Sequence, residues 1–303
     1  MNWSEVYVRI LKFASALIQQ YHIHPNEVVS MLCPNSHIAF ELHFSVPGVQ
    51  GILHSINTRL DDKSIAFQLQ HAGTKLFIID DEYIHLGMKA LSLLPQDIRP
   101  KVIRVKTLDV VHVDDSHGVE GIPEFEEILQ RGMNEIQLRL PSHEFDAITL
   151  NYTSGTTGNP KGVVTHHRGM YLNALVQALE LNMTPFPRFL YIVPLFHCNA
   201  WCFPYTMAAT GGTSFFLRQV RDQALFDTIS KCYFMLTFEG FIIVIRYKVQ
   251  YFAGAPVIMN TMLAYENRFK FDHEVVYMTA GAAPPPAVMQ RFEQEIGVRV
   301  RTV

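Results

Sequence analysis

Asp61-Asp62-Lys63-Ser64-Ile65-Ala66-Phe67-Gln68-Leu69-Gln70-His71 reads as a helix, and Lys75-Leu76-Phe77-Ile78-Ile79-Asp80 as the strand it feeds. The strand is a near-continuous apolar run, the signature of a parallel sheet covered on both faces. The same rhythm extends in both directions. Val28-Val29-Ser30-Met31-Leu32 is a short β-rich run ahead of a helical stretch beginning near Ser36, and Lys101-Val102-Ile103-Arg104-Val105 follows a further helix. Later apolar runs fall at 147–150, 189–193, 213–217, 275–278 and 298–300. The segments between them have helical character and run to about 10 to 15 residues, as βαβ crossovers require. The expectation is an α/β fold with two mostly parallel sheets and flanking helices. The polar, turn-rich stretch 114–144 marks the boundary, giving a first α/β subdomain over 1–115, a connecting segment over 116–146 and a second subdomain over 147–303.

Composition supports a buried core and removes several functions. Apolar residues make up 49% of the 303 and charged ones only 17%, enough to fill such sheets. A net charge of −3 offers no basic excess, so nucleic acid is excluded as a partner. Cys33, Cys198, Cys202 and Cys232 are too scattered for a disulfide framework, and read as small core-lining thiols of a reducing compartment. No histidine or cysteine spacing suggests a protein-held metal. The N-terminus enters an amphipathic helix directly, with Asn2 and Glu5 as a capping box and Val6, Ile10, Phe13 and Leu17 at helical spacing. No secretory leader is visible there. The most apolar stretch, 232–245, contains Glu239 and at about 14 residues is too short to insert in a membrane.

The chemistry concentrates at Tyr152-Thr153-Ser154-Gly155-Thr156-Thr157-Gly158-Asn159-Pro160-Lys161-Gly162. An apolar strand precedes this loop and a helix beginning near His167 follows it. Glycines let backbone N–H groups approach an anion, hydroxyls add donors, and the lysine supplies a point charge. The order Pro160-Lys161-Gly162 departs from the Gly-Lys-Ser/Thr of a Walker loop. A surface turn of small residues is the bland alternative, but such a turn needs no lysine and no cluster of hydroxyls behind an apolar strand.

Residues Thr153 to Gly162 resemble the signature loop of the adenylate-forming superfamily, which holds acyl-CoA synthetases, luciferases and peptide-synthetase adenylation domains. Val193-Pro194-Leu195-Phe196-His197-Cys198-Asn199-Ala200-Trp201 resembles the Pro-x-Phe-His-x-Asn-x-Trp segment of acyl-CoA ligases. Thr279-Ala280-Gly281-Ala282-Ala283-Pro284 resembles the Gly-Ala-Ala-Pro segment that packs on adenine in that family. With Pro34-Asn35 and Ile56-Asn57-Thr58-Arg59-Leu60, the order of elements looks most like the plant acyl-activating enzymes. The resemblance implies the N-terminal portion of the adenylate-forming fold, with its sheets stacked. It also implies activation of a fatty or aromatic carboxylic acid by ATP to an acyl-AMP, then transfer to CoA. Thr153, Ser154, Thr156, Thr157 and Lys161, with the amides around Gly155 and Gly158, would hold the β- and γ-phosphates beside Mg²⁺. His197 would stand at the acyl-pocket mouth, with a satisfied core histidine as the bland alternative. Gly281, Ala282, Ala283 and Pro284 would border adenine and acyl group, or form only a strand-ending loop. Trp201 is read as core.

The chain departs from that family in two ways. Family members continue beyond Val303 into an aromatic-Gly-x-Thr-Glu segment, an aspartate for the ribose, a hinge and a C-terminal domain with a lysine. The expectation is therefore an N-terminal fragment, inactive alone, from a protein of the cytoplasm or peroxisome. Any C-terminal peroxisomal address would lie outside it. Residues 232–246 also interrupt the pattern between a helix at 225–231 and a strand entered at 247, as a suspected aberrant insertion of translated non-coding sequence. A genuine extra strand or hairpin is the alternative. Two other readings stay open: a non-catalytic product of a damaged or mis-spliced gene, and another adenylate-forming enzyme such as a peptide-synthetase domain or a luciferase-like oxygenase. The run 197–201 argues against a peptide synthetase, which more often needs a carboxylate for the amino group of its substrate.

Overall fold

A computed structural model of the chain describes residues 1–106, 119–153, 159–219, 221–238 and 241–302. It separates into two compact units, Met1–Leu172 with Leu195–Asn199, and Asn173–Pro194 with Ala200–Val303.

In the first unit, strands β1 (Val28–Leu32), β2 (Ile52–Ser55), β3 (Thr74–Asp80), β4 (Lys101–Val105), β5 (Ala147–Thr153) and β6 (Lys161–His166) form one sheet in the order β4-β3-β1-β2-β5-β6. All its pairings are parallel except β5 with β6. The helices are α1 (Trp3–Gln19), α2 (His37–Ser45), α3 (Asp62–His71), α4 (Ile84–Ser92), α5 (Phe125–Arg131) and the start of α6 (His167–Glu180). Their starts are written in the sequence. The Asn2–Glu5 box is reciprocal, Ser36 accepts from the Ala39 amide, and Asp61 from that of Ser64. Phe77 and Ile79 of β3 lie fully buried against Ile65, Leu69, Ile84 and Ala90 of α3 and α4, each large side chain contributing about 1.5–3 kcal/mol. Arg9 ties three helices together, bonding Glu41 of α2 at 2.7 Å and gripping Glu126 of α5 through two N–H groups at 2.8 and 2.7 Å. Burial pushes the Glu41 carboxyl up to about 7 despite that pairing.

The expected runs in this half form strands, and the structure adds β2 and β6. Strand β2 is Ile52-Leu53-His54-Ser55, short and half polar, which hides it from a reading of apolar runs. It lies between β1 and β5, pairing Leu53 with Thr149 and His54 with Leu150. That pairing binds β5 and β6 into the first sheet. The compact units accordingly part near Leu172 and not within 116–146.

In the second unit, β7 (Arg188–Tyr191) and β8 (Thr213–Phe216) are followed by the helix Asp222–Lys231 and by a separate antiparallel pair, β9 (Cys232–Phe238) and β10 (Phe241–Tyr247). Strands β11 (Tyr251–Gly254), β12 (Val275–Thr279) and β13 (Val298–Thr302) complete a wholly parallel sheet in the order β13-β12-β11-β7-β8. Its core joins Leu190, Phe252 and Tyr277 of the strands to Phe226, Ile229, Met259, Met262, Phe292 and Ile296 of the helices. Among the described strands, β9 and β10 pair only with each other. The suspected insertion 232–246 thus folds back on itself, Cys232 opposite Tyr247, outside both large sheets. The chain closes across its base, where the Val249 amide donates to the Ile229 carbonyl at 3.3 Å.

Candidate active site

Strand β5 leads into the candidate site. Its antiparallel register with β6 sets Thr153 opposite Lys161 and Tyr152 opposite Gly162, on either side of residues 154–160 in the chain. Ser154, Gly155, Thr156, Thr157 and Gly158 lie outside the described residues. Thr153 and Lys161 are both exposed, and pair with each other across the two strands. The expected strand–loop–helix order needs one correction. A strand intervenes before α6, because the β-branched Val163-Val164-Thr165 extends and pairs with β5. Lys161 therefore opens a strand, and its ammonium, not a helix dipole, is the charge it brings. At Gly162 a Cβ would stand 3.0 Å from Leu150 Cδ1 and 3.5 Å from the Tyr152 ring, so the Leu150 side chain would have to shift slightly to admit one.

Tyr152, the last residue before the signature loop, is fixed from the other side. Its hydroxyl is 2.7 Å from Nδ1 of His71 at the end of α3, and its ring centroid is 5.1 Å from that of His54 on β2. Partial burial raises the phenol above its ordinary pKa. His54 itself is fully buried, its Nδ1 2.8 Å from Ser30 Oγ, which in turn meets Thr74 Oγ1 at 2.7 Å. Desolvation depresses this imidazole to about 3, and the equally buried His43 of α2 to about 4.

The segment that bears His197 returns to this same unit. The Leu195 amide donates to Asn35 Oδ1 at 2.8 Å, and Asn151 Nδ2 of β5 donates to the Phe196 carbonyl at 3.1 Å. Asn199 is 1% exposed and its Nδ2 bonds both Thr149 Oγ1, at 2.9 Å, and Asn151 Oδ1, at 3.0 Å. His197 and Cys198, between these anchors, are exposed, so His197 is not a core histidine. From Cys198 the backbone turns left-handed through Cys202, with φ of 48, 53, 45, 56 and 69°. Left-handed helical backbone costs on the order of 1–2 kcal/mol per residue, and such strain persists only where the surroundings fix it. Asn199 is the asparagine of the Pro-x-Phe-His-x-Asn-x-Trp resemblance, which gave it no structural role, and no pattern in the sequence announced Thr149 or Asn151, since polar residues inside a strand carry no periodicity.

In the second unit, Gly281-Ala282-Ala283-Pro284 leaves the C-terminal end of β12, the end of a parallel sheet where ligands bind in open α/β folds. Gly281 has φ +87°, a conformation natural only to glycine. Gly281, Ala282 and Ala283 are exposed and Pro284 is buried; Pro285 and Pro286 then start the helix Pro286–Ile296. Among the described residues there is no group of three or more His, Cys, Asp or Glu that could hold a metal, and no helix long and apolar enough to cross a membrane.

The model of the AMP-binding enzyme family matches residues 1–303. The chain belongs to that family. It is 34% identical over 308 residues to the acetate/butyrate–CoA ligase of Arabidopsis thaliana, named peroxisomal, covering 99% of this chain and 51% of that one. To the peroxisomal trans-cinnamate:CoA ligase of Petunia hybrida it is 33% identical over 310 residues, with coverages of 99% and 51%. The chain thus spans about half the length of the curated relatives it matches. Among solved structures, the inhibitor-bound N-terminal domain of FACL13 from Mycobacterium tuberculosis superposes with a TM-score of 0.78 at 21% identity, over 100% of this chain and 68% of that one. A benzoate CoA ligase from Burkholderia xenovorans gives 0.80 at 17%, over 100% and 55%. These two likenesses bear on the fold alone. It is the α/β fold expected from the sequence, two mostly parallel sheets with flanking helices.

Proposed function

We propose that this chain is the ATP-gripping portion of a ligase that activates a small carboxylic acid. The acid's carboxylate oxygen attacks the α-phosphorus of ATP, the bond to the β-phosphate breaks, and pyrophosphate leaves an acyl-AMP. In the completed reaction the CoA thiol attacks the acyl carbon and AMP departs, leaving a fatty or aromatic acyl thioester. The observation that carries this reading is the antiparallel β5–β6 pair, with Thr153 and Lys161 opposite each other on either side of residues 154–160, in a chain matched by the family along its whole length.

In this reading, hydroxyls of Thr153, Ser154, Thr156 and Thr157, amides at Gly155 and Gly158, and the Lys161 ammonium hold the β- and γ-phosphates as charge moves onto them. Mg²⁺ suits such a site because it binds chiefly through phosphate oxygens and waters, with few protein ligands. His197 orients the reacting carboxylate, and Gly281, Ala282, Ala283 and Pro284 leave room for adenine and acyl group. The Arabidopsis and Petunia names suggest short-chain or aromatic acids and a peroxisomal setting, with the cytoplasm as the other compartment. Because the chain spans half of such relatives, we assign it nucleotide and acid binding and expect no thioester from the 303 residues alone.

Calorimetry with ATP·Mg²⁺, followed by ATP–pyrophosphate exchange over a panel of acids, tests this. Saturable ATP binding supports the reading. Folded protein that takes up no ATP overturns it in favour of a non-catalytic gene product, the reading that the self-paired strands β9 and β10 favour.

A further inference from the structure

His197 is exposed between two groups, the Phe196 carbonyl and the Asn199 amide, that are anchored to the strand leading into the phosphate loop. The anchoring converges on one side chain. Asn199 spends both N–H bonds of its amide on β5, at Thr149 Oγ1 (2.9 Å) and Asn151 Oδ1 (3.0 Å). Asn151 returns the contact by donating from Nδ2 to the Phe196 carbonyl at 3.1 Å. Thr149 is buttressed in turn by Thr165 of β6, Oγ1 to Oγ1 at 2.6 Å. His197 therefore stands between two points, Phe196 O and Asn199 Nδ2, that are both bonded to Asn151, two residues before Thr153 in the chain.

The backbone adds an independent sign of constraint. Asn199 is the second of five consecutive left-handed residues, none of them glycine. Asparagine tolerates this region better than other residues with a side chain. A buried amide with its donors satisfied can hold such a turn; a side chain without donors would leave Thr149 and Asn151 facing an unpaired site.

We propose that Asn199 is a positioning residue that fixes His197 relative to the strand carrying the phosphate loop, so that filling the loop is sensed at the His197 ring. This rests on the ATP-binding reading above. The same amide that sets the ring's place also links it mechanically to β5, the strand that leads into the residues after Thr153.

The test is the His197 ring signal in ¹H–¹³C NMR of the whole chain, assigned by its loss in His197→Gln, without and with ATP·Mg²⁺. In the parent, one sharp signal should shift on adding ATP·Mg²⁺. Asn199→Asp is isosteric but lacks the donors, and Asn199→Gly keeps the left-handed backbone without a side chain. Both should retain ATP affinity within about threefold and yet lose the shift, with the ligand-free signal broadened or split. Thr149→Val, which removes one acceptor at constant shape, should give a weaker version and serves if either Asn199 variant fails to fold. Parent-like signals in Asn199→Gly would show that the backbone alone places the ring, and would overturn the proposal. A parent that shows no response to ATP anywhere refutes ATP binding instead, and the ligand-free spectra then decide whether Asn199 positions His197.

Discussion

His54 offers the sharpest physical test of the first unit. It lies wholly buried on β2, in contact with Ser30 Oγ and the Tyr152 ring, and burial lowers its pKa from 6.5 to about 3. Between those two values the unfolded chain binds a proton that the folded chain refuses. Stability must therefore rise with pH across that window and fall on acidification. At pH 5 the solution is 1.5 units below the ordinary value and still above the folded one. At ~1.36 kcal/mol per unit, His54 then costs about 2 kcal/mol of stability relative to neutral pH. Other groups titrate in the same range. His43 acts in the same sense, and Glu41, raised to about 7, in the opposite one, so the whole-protein slope is a mixture. A double difference isolates the residue. Urea unfolding of the parent and of His54→Asn, each at pH 7 and pH 5, should show the parent losing about 2 kcal/mol more than the variant. Parallel losses in the two proteins would refute the argument, since they would mean that His54 binds its proton as easily folded as unfolded.

Three further outcomes follow from the geometry. In a chain extended to the length of its relatives, Lys161→Ala should slow ATP–pyrophosphate exchange by on the order of 10²-fold, by removing one charge from the phosphates; exchange near the parental rate would take the lysine out of the mechanism. Deleting residues 232–246, which pair outside both sheets, should raise solubility and thermal midpoint, whereas easier unfolding would make β9 and β10 a true structural element. Gly132→Ala would drive a Cβ into the Lys12 carbonyl of α1, and should cost about 1–3 kcal/mol in urea titration; unchanged stability would mean that the α1 and Gly132 backbones part freely.

Much of the architecture is local and therefore readable. Val28–Leu32 and Lys101–Val105 become strands with the expected bounds, because continuous apolar runs of that length bury nowhere else so well. Asn2, Ser36 and Asp61 cap their helices, because a cap is a bond between residues three apart. The signature loop was likewise legible as chemistry, since glycines, hydroxyls and a lysine sit in one continuous stretch. Strand β2 was not, because His54 and Ser55 owe their burial to Ser30 and to β5, partners far away in sequence.

By itself, then, the sequence determined the α/β class, the helix starts and the family, all of which rest on short-range spacing and residue type. Tertiary structure alone decided three things. It put β5 and β6 into the first sheet, where pairing with Leu53 and His54 places the strand that ends in Thr153. It made Lys161 the start of a strand, because an extended Val163-Val164-Thr165 finds ladder partners on β5 that no local propensity supplies. And it brought Leu195–Asn199 back to Asn35, Thr149 and Asn151, through buried amide bonds whose partners are about 45 to 160 residues apart in the chain. A buried polar group must be satisfied wherever the fold delivers a partner, and that partner is fixed only when the whole chain has packed.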